Sequence, residues 1–299
     1  STFVKNLKKS KKNSNSITDN TIFYENILKK VIRKRPLDSH KGDYGRLLLI
    51  GGTYPYGGAI IMAALAAVNS GAGLVTVATD KDNIAPLHSH LPEAMAFDLE
   101  EQDRLTEQLI KSDVVLIGPG LAENQLGLDV LKKVVQTVTE QQILIMDGGA
   151  ISLFSKGALP FPKAQTVFTP HQKEWEGLSG LSLSDQTAAA NQAAVNQLPL
   201  GSIVVQKKHR TTIYQSGQEQ VFELSVGGPY QATGGMGDTL AGMIAAFAGQ
   251  FKSSSLFERV AAATLLHSLI ADELSQEAYV VLPTSISRAI PRWMKEMSR

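Results

Sequence analysis

The chain reads as an α/β protein with a central, mostly parallel sheet and helices on both faces. Three observations point there. From Arg46 onward, short apolar runs bounded by glycines alternate with longer helical stretches. Most of those runs are continuously β-branched or Leu-rich, as in strands buried on both faces, and do not alternate with polar residues. At 299 residues, 43% hydrophobic and 19% charged, the chain also has the material for a large core, because a chain of this length hides roughly three quarters of its unfolded surface.

In order, strands are expected at residues 47–50, 74–78, 114–117, 143–146, 166–168 and 203–207, most of them short β-branched or Leu-rich runs. Helices are expected between them at 58–70, 103–111, 126–139 and 184–197. The runs 211–214 and 221–224 flank Gln215-Ser216-Gly217-Gln218 and predict a hairpin at the sheet edge. The last third reads as helices at 237–249, 256–273 and 285–297. No Pro/Gly/Ser-rich linker interrupts residues 37–299, so these βα units in series are expected to form a single catalytic domain.

The composition excludes whole classes of function. With no cysteine, the chain has no disulfide scaffold, Cys-ligated zinc, iron–sulfur cluster or thiol nucleophile. The longest wholly apolar run, residues 59–68, falls short of the roughly 18 residues that cross a bilayer. With no signal-peptide core either, the expectation is a cytoplasmic protein.

A formal charge of +1 conceals a division. Residues 1–36 hold ten Lys or Arg against Asp19 and Glu25, a net of +8, and the remainder holds 19 basic and 26 acidic residues, a net of −7. A basic, Ser/Asn-rich start admits nucleic-acid or membrane contact. The simpler reading is a solvated arm, partly disordered or helical over 21–35, with neither partner.

In open sheets ligands bind at the carboxyl ends of the strands. The segments at those ends are Gly51-Gly52-Thr53, Gly118-Pro119-Gly120, Asp147-Gly148-Gly149, Thr169-Pro170-His171 with Glu174, and Lys208-His209-Arg210. Three glycine-rich loops on one edge predict a crevice. The sharpest signal is Thr233-Gly234-Gly235-Met236-Gly237-Asp238-Thr239. A glycine run opening an apolar helix leaves backbone N–H groups aimed at one spot, with the positive end of the helix dipole behind them. Asp238 beside such an anion hole is a dipole partner on the plain reading and a general base on the functional one. His88 and His90 have no third ligand at suitable spacing and are read as a surface loop, and Trp175 and Trp293 as packing residues.

Six motifs in order carry a family resemblance: His40-Lys41-Gly42-Asp43-Tyr44-Gly45, Gly57-Gly58-Ala59, Ser70-Gly71-Ala72-Gly73-Leu74-Val75-Thr76, Gly118-Pro119-Gly120-Leu121, Thr169-Pro170-His171 with Glu174, and Ala232 through Gly242. From about His40 onward the chain resembles the ADP/ATP-dependent NAD(P)H-hydrate dehydratases of the ribokinase-like superfamily. That resemblance implies a ribokinase-like three-layer sandwich. It also implies repair of NADH or NADPH hydrated at C6 of the nicotinamide ring, driven by ADP or ATP with Mg²⁺.

By resemblance, Asp238 is the catalytic base, and Gly235, Met236 and Gly237 present amides to the phosphoryl oxygens. Ala59, Gly120, His171 and Asp238 match the hydrate-binding positions. Lys207, Lys208, His209, Arg210, Thr211 and Gly237 match the nucleotide-binding positions. Glu174 stands where related kinases help hold the metal, often through water. The stand-alone form implies ADP as donor and a homo-oligomer, a tetramer among relatives. Two departures stand out. Lys207-Lys208 replaces the usual Lys-Gly, and Asp147-Gly148-Gly149 lacks the family's second carboxylate. A small-molecule alcohol kinase of the same fold and a nucleotide sensor without turnover are the competing readings.

Overall fold

The structure is a computed structural model and describes residues 15–226 and 233–298. Lys5 to Lys12 of the arm and Ala232 of the glycine motif lie outside the described residues. Nine strands form one sheet: β1 (Arg46–Ile50), β2 (Leu74–Thr79), β3 (Met95–Asp98), β4 (Val114–Ile117), β5 (Ile143–Met146), β6 (Gln165–Phe168), β7 (Ile203–Gln206), β8 (Thr212–Gln215) and β9 (Gln218–Glu223). Their order is β3-β2-β1-β4-β5-β6-β7-β8-β9, parallel as far as β7, with antiparallel pairing of β7 to β8 and of β8 to β9.

Strand alternation divides the core into two. Leu47 and Leu49 face one side, where they meet α1 (Asn15–Val31), α2 (Gly57–Asn69), α3 (Ile84–His90), α9 (Met236–Gly249), α10 (Leu256–Leu274) and α11 (Pro283–Met297). Leu48 and Ile50 face the other, against α4 (Gln102–Lys111), α5 (Gln125–Thr137), α6 (Gly149–Lys156), α7 (Gln172–Ser179) and α8 (Ala188–Val195). This is the three-layer sandwich that the sequence predicts. β1 lies between β2 and β4, so the chain first builds outward to β3 and then returns across β1. That reversal opens a crevice at the carboxyl ends of β1 and β4.

Small residues bring α2 and α9 together backbone to backbone: a Cβ on Gly242 would lie 2.1 Å from the Ala63 carbonyl oxygen. This contact packs the middle of α9 on the middle of α2, which matters for the site.

Several elements depart from expectation. β3 went unread because Met-Ala-Phe-Asp is four residues long and lies at the edge of the sheet. The His88/His90 segment is helical, not a loop. Pro86 sits in the first turn of α3, where no N–H is required, and the two imidazoles bond to the Ala94 and Pro86 carbonyls at 3.1 and 3.0 Å. The single helix expected at 184–197 is a short 3₁₀ turn followed by α8, which Thr187 caps. The hairpin turn is tighter than expected, Ser216-Gly217 only, with Gly217 at φ 83°.

The largest difference lies in the arm. α1 ends at Val31, not Arg35, since the residue before Pro36 is driven out of helical geometry. Its inner face is core: Tyr24, Leu28, Val31 and Ile32 are buried, a helical i, i+4, i+7, i+8 stripe. The Tyr24 hydroxyl bonds the Ser225 hydroxyl at 2.7 Å and accepts the Ser225 N–H at 3.0 Å, and Lys30 pairs with Glu258. This part of the arm is therefore packed into the core and is not the solvated segment that its charge suggests. Leu28→Ala is expected to lower unfolding stability by about 2–5 kcal/mol, the range for truncating a fully buried leucine. A denaturant titration monitored by circular dichroism checks this, and a variant as stable as wild type would return α1 to the surface.

Candidate active site

The crevice starts with two loops tied to each other. Gly52 N donates to the Pro119 carbonyl at 2.9 Å and Thr53 N to the Gly120 carbonyl at 3.0 Å. The Thr53 hydroxyl also donates to the Gly120 carbonyl at 3.1 Å and accepts the Ala122 N–H at 2.8 Å. Gly120 has φ 68°, and a Cβ there would lie 2.4 Å from the Tyr56 carbonyl oxygen and 2.9 Å from the Ala59 Cβ. Ala59 and Gly120, far apart in sequence, are therefore neighbours. One turn along α2, Met62 packs its sulfur on Gly235, the left-handed N-cap of α9. The glycine-rich helix start thus stands beside the switch-point loops.

Asp238 occupies the first turn of α9, as the motif predicts. Burial pushes its carboxyl up to about 7. The Asp147 carboxylate adds to that rise and Lys207 opposes it. Lys207 follows β7, and its backbone is held by a bridge to His171 and a 2.9 Å bond to the Pro170 carbonyl. Its ammonium lies 3.2 Å from Asp147 Oδ1 and 2.8 Å from the point that a Cβ on Gly237 would occupy. Burial disfavours that ammonium, but Asp147, Glu174 and Asp238 together outweigh burial and raise its pKa.

His171 is the N-cap of α7: its Nδ1 accepts the Glu174 N–H at 3.1 Å, and Glu174 Oε1 accepts the His171 N–H at 3.0 Å. This reciprocal capping box uses an imidazole where Ser or Thr is usual. Burial and the Lys207 charge lower the His171 pKa, and burial raises Glu174 to about 7. Behind it, Trp175 donates to Asn191 at 2.8 Å, and Asn191 donates to Gln206, the last residue of β7, at 2.9 Å. This buried chain ties α7, and hence His171, to the strand that carries Lys207.

The remaining nucleotide-binding candidates sit on the β7–β8 loop. Lys208 and Thr211 are partly exposed, and His209 and Arg210 are exposed. Thr211 anchors the loop, its carbonyl accepting the Leu224 N–H at 2.9 Å. The structure thus gathers Asp238, Gly235 to Gly237, Lys207, His171, Glu174, Ala59 and Gly120 at one edge, with 208–211 at its flank.

Sequence reasoning missed two parts of the site. One is the Asp147–Thr169 pair, bonded at 2.6 Å from the Thr169 hydroxyl to Asp147 Oδ1. The other is His267 of α10. It is 5% exposed, hydrogen-bonds the Met236 backbone, and is pushed down to about 4 by burial and then by Lys207, so it is neutral. A histidine in the uncharged middle of a helix, between Val260 and Ala271, was the available signal.

No group of three or more His, Asp or Glu side chains among the described residues forms a metal-holding set. Asp147 Oδ1 is taken by Thr169 and Lys207, and Glu174 is engaged with the His171 N–H. These residues do not fit a protein cage for a metal; they would suit a Mg²⁺ ion that keeps its waters and phosphate ligands, which Glu174 would contact only through water.

The model of the NAD(P)H-hydrate dehydratase family matches residues 47–292. The chain belongs to the NAD(P)H-hydrate dehydratase family. It is 60% identical to the ADP-dependent (S)-NAD(P)H-hydrate dehydratase of Streptococcus pneumoniae over 92% of this chain and 94% of that relative. A solved structure of a hypothetical protein from Streptococcus mutans superposes with a TM-score of 0.89 at 61% identity, covering 92% of this chain and 99% of the other. The ADP/ATP-dependent NAD(P)H-hydrate dehydratase from Bacillus subtilis, co-crystallized with ATP/Mg²⁺, gives a TM-score of 0.81 at 25% identity, covering 92% and 97%.

Proposed function

We propose that the chain is an ADP-dependent (S)-NAD(P)H-hydrate dehydratase, a nicotinamide nucleotide repair enzyme. The observation that carries this reading is Asp238 in the first turn of a glycine-opened helix, with Lys207 against the same turn, in a chain 60% identical to an enzyme of that name.

Hydroxide is a poor leaving group, so the C6 hydroxyl is first made into a phosphate ester. Asp238 takes the hydroxyl proton as the oxygen attacks the terminal phosphorus of the donor, and the bond to the leaving AMP breaks. The amides of Gly235, Met236 and Gly237 and the Lys207 ammonium receive the charge on the transferring group. The ring nitrogen lone pair then expels phosphate from C6, and loss of the C5 proton restores the dihydronicotinamide. The products are NAD(P)H, AMP and phosphate, and water leaves as part of the phosphate. Mg²⁺, when bound, neutralises phosphate charge. Ala59, Gly120 and His171 hold the hydrated nicotinamide side, and residues 208–211 with Gly237 the nucleotide, while the Lys207 ammonium serves the transferring group.

A carboxyl raised to about 7 is neutral in mild acid and becomes a competent base near neutrality. The cytoplasm, where NAD(P)H and ADP are plentiful, is the compartment this reading assigns. The half-exposed apolar side chains Ile22 and Phe23 of α1 are compatible with a homo-oligomer, which relatives of this family suggest.

The test offers purified protein (S)-hydrated NADH or NADPH with ADP or ATP, and follows reduced-nicotinamide absorbance together with AMP or ADP release. Absorbance gain with ADP is expected. No gain with either donor, alongside a stable phosphorylated product from a hydroxymethylpyrimidine or hydroxyethylthiazole, would move the chain to the alcohol kinases.

A further inference from the structure

The reaction leaves Asp147, at the end of β5, without a task. Its side chain is 3% exposed, and its Oδ1 accepts both the Thr169 hydroxyl at 2.6 Å and the Lys207 ammonium at 3.2 Å. Both ends of this tether are anchored. A Cβ on Gly118 would lie 1.6 Å from the Asp147 carbonyl oxygen, so the backbone there is clamped, and Lys207 is laced to Pro170 and His171. Of the carboxylates that attract the ammonium, Asp147 is the one in direct contact with it.

The ammonium stands against Gly237, at the positive end of α9, where a helix dipole repels a cation. That position is unfavourable for Lys207 unless a carboxylate holds it there, and it turns favourable when an anion arrives. We propose that Asp147 is a positioning residue: it holds Lys207 against the Gly235–Asp238 turn, so that the ammonium meets the phosphoryl group in flight and is not a grip on the nucleotide. The inference rests on the phosphoryl-transfer reading above. In such transfers charge spreads over three equatorial oxygens. The α9 amides serve them from one side, and the fixed ammonium serves them from another without reorganising.

Asp147→Asn keeps the shape and the Thr169 bond and removes the charge. Its kcat is expected to fall by at least about tenfold, with KM and calorimetric Kd for ADP within about threefold of wild type. Lys207→Met is expected to behave alike, and the double variant to be no slower than Lys207→Met alone. Wild-type kcat in Asp147→Asn, ADP affinity falling in step with kcat, or penalties that multiply in the double variant would each overturn the tether. Breaking a buried pair weakens folding, so Thr169→Val, which keeps both charges and frees the carboxylate, is the second variant, with an intermediate loss of kcat expected. If wild-type protein itself fails to turn over hydrated cofactor, the functional reading falls. The tether is then judged by acylation of Lys207 mapped by mass spectrometry. Faster labelling in Asp147→Asn than in wild type supports it, and equal rates refute it.

Discussion

Asp238→Asn is expected to lose about 10²–10⁴ in kcat, the usual share of a positioned general base, with ADP affinity unchanged. In wild type, kcat/KM is expected to rise with pH and level off above an apparent pKa near 7, because burial and the neighbouring Asp147 carboxylate hold Asp238 protonated in mild acid. The same substitution should act on stability with the opposite sign. A carboxyl whose pKa is higher folded than unfolded costs folding energy as pH rises from the ordinary carboxylate range to about 7, and the cost is constant beyond. Asp238→Asn should therefore melt at the wild-type temperature near pH 4 and several degrees higher at pH 8. An inactive variant that is not stabilised at pH 8 would mean that Asp238 is not held in a desolvated position. A variant with normal turnover would remove it as the base.

Gly118→Ala is expected to be the most damaging single-methyl change in the fold. Gly118 has φ 133°, and a Cβ would lie 1.6 Å from the Asp147 carbonyl oxygen and 2.5 Å from its carbon, both parts of the backbone. No side chain can swing aside, so β4 and β5 must separate where they meet the site, at a cost above about 4 kcal/mol. Gly58→Ala is the control. No atom lies within 4 Å of a Cβ there, in the first turn of α2, so a gain of roughly 0.4–1 kcal/mol is expected. Thermal denaturation of the pair checks both, and comparable melting points would remove the clamp on Asp147.

What the sequence made legible was local. Gly235, Gly237 and Asp238 lie within four residues, and a glycine run opening an apolar helix has one physical meaning wherever it occurs. His171 and Glu174, three apart, were likewise within reach. The sandwich followed from continuously apolar runs, which only a doubly covered sheet explains. The pairing of Asp147, Thr169 and Lys207 depends on β5, β6 and β7 lying side by side, and strand order leaves no mark in any one segment. The contact of Ala59 with Gly120 likewise needs the reversal of strand order at β1, so it came through resemblance and not through spacing. In α1 the relevant signal was present, but the lysines flanking Leu28 and Val31 obscured a four-residue apolar stripe.

The lateness of α9 also bears on how the chain reaches this state. α9 covers β1 and β4 at the middle of the sheet, yet almost 190 residues separate it from β1. During synthesis, Leu47, Leu49, Val114 and Leu116 wait for it with that face only partly covered by α2. Loop closure over such a separation is slow, and half-covered parallel strands aggregate in the interval. Arrival of the helix that carries Asp238 is thus also the step that covers the middle of the sheet. A chain cut short before residue 236 would lack both the proposed base and the helix that covers β1 and β4.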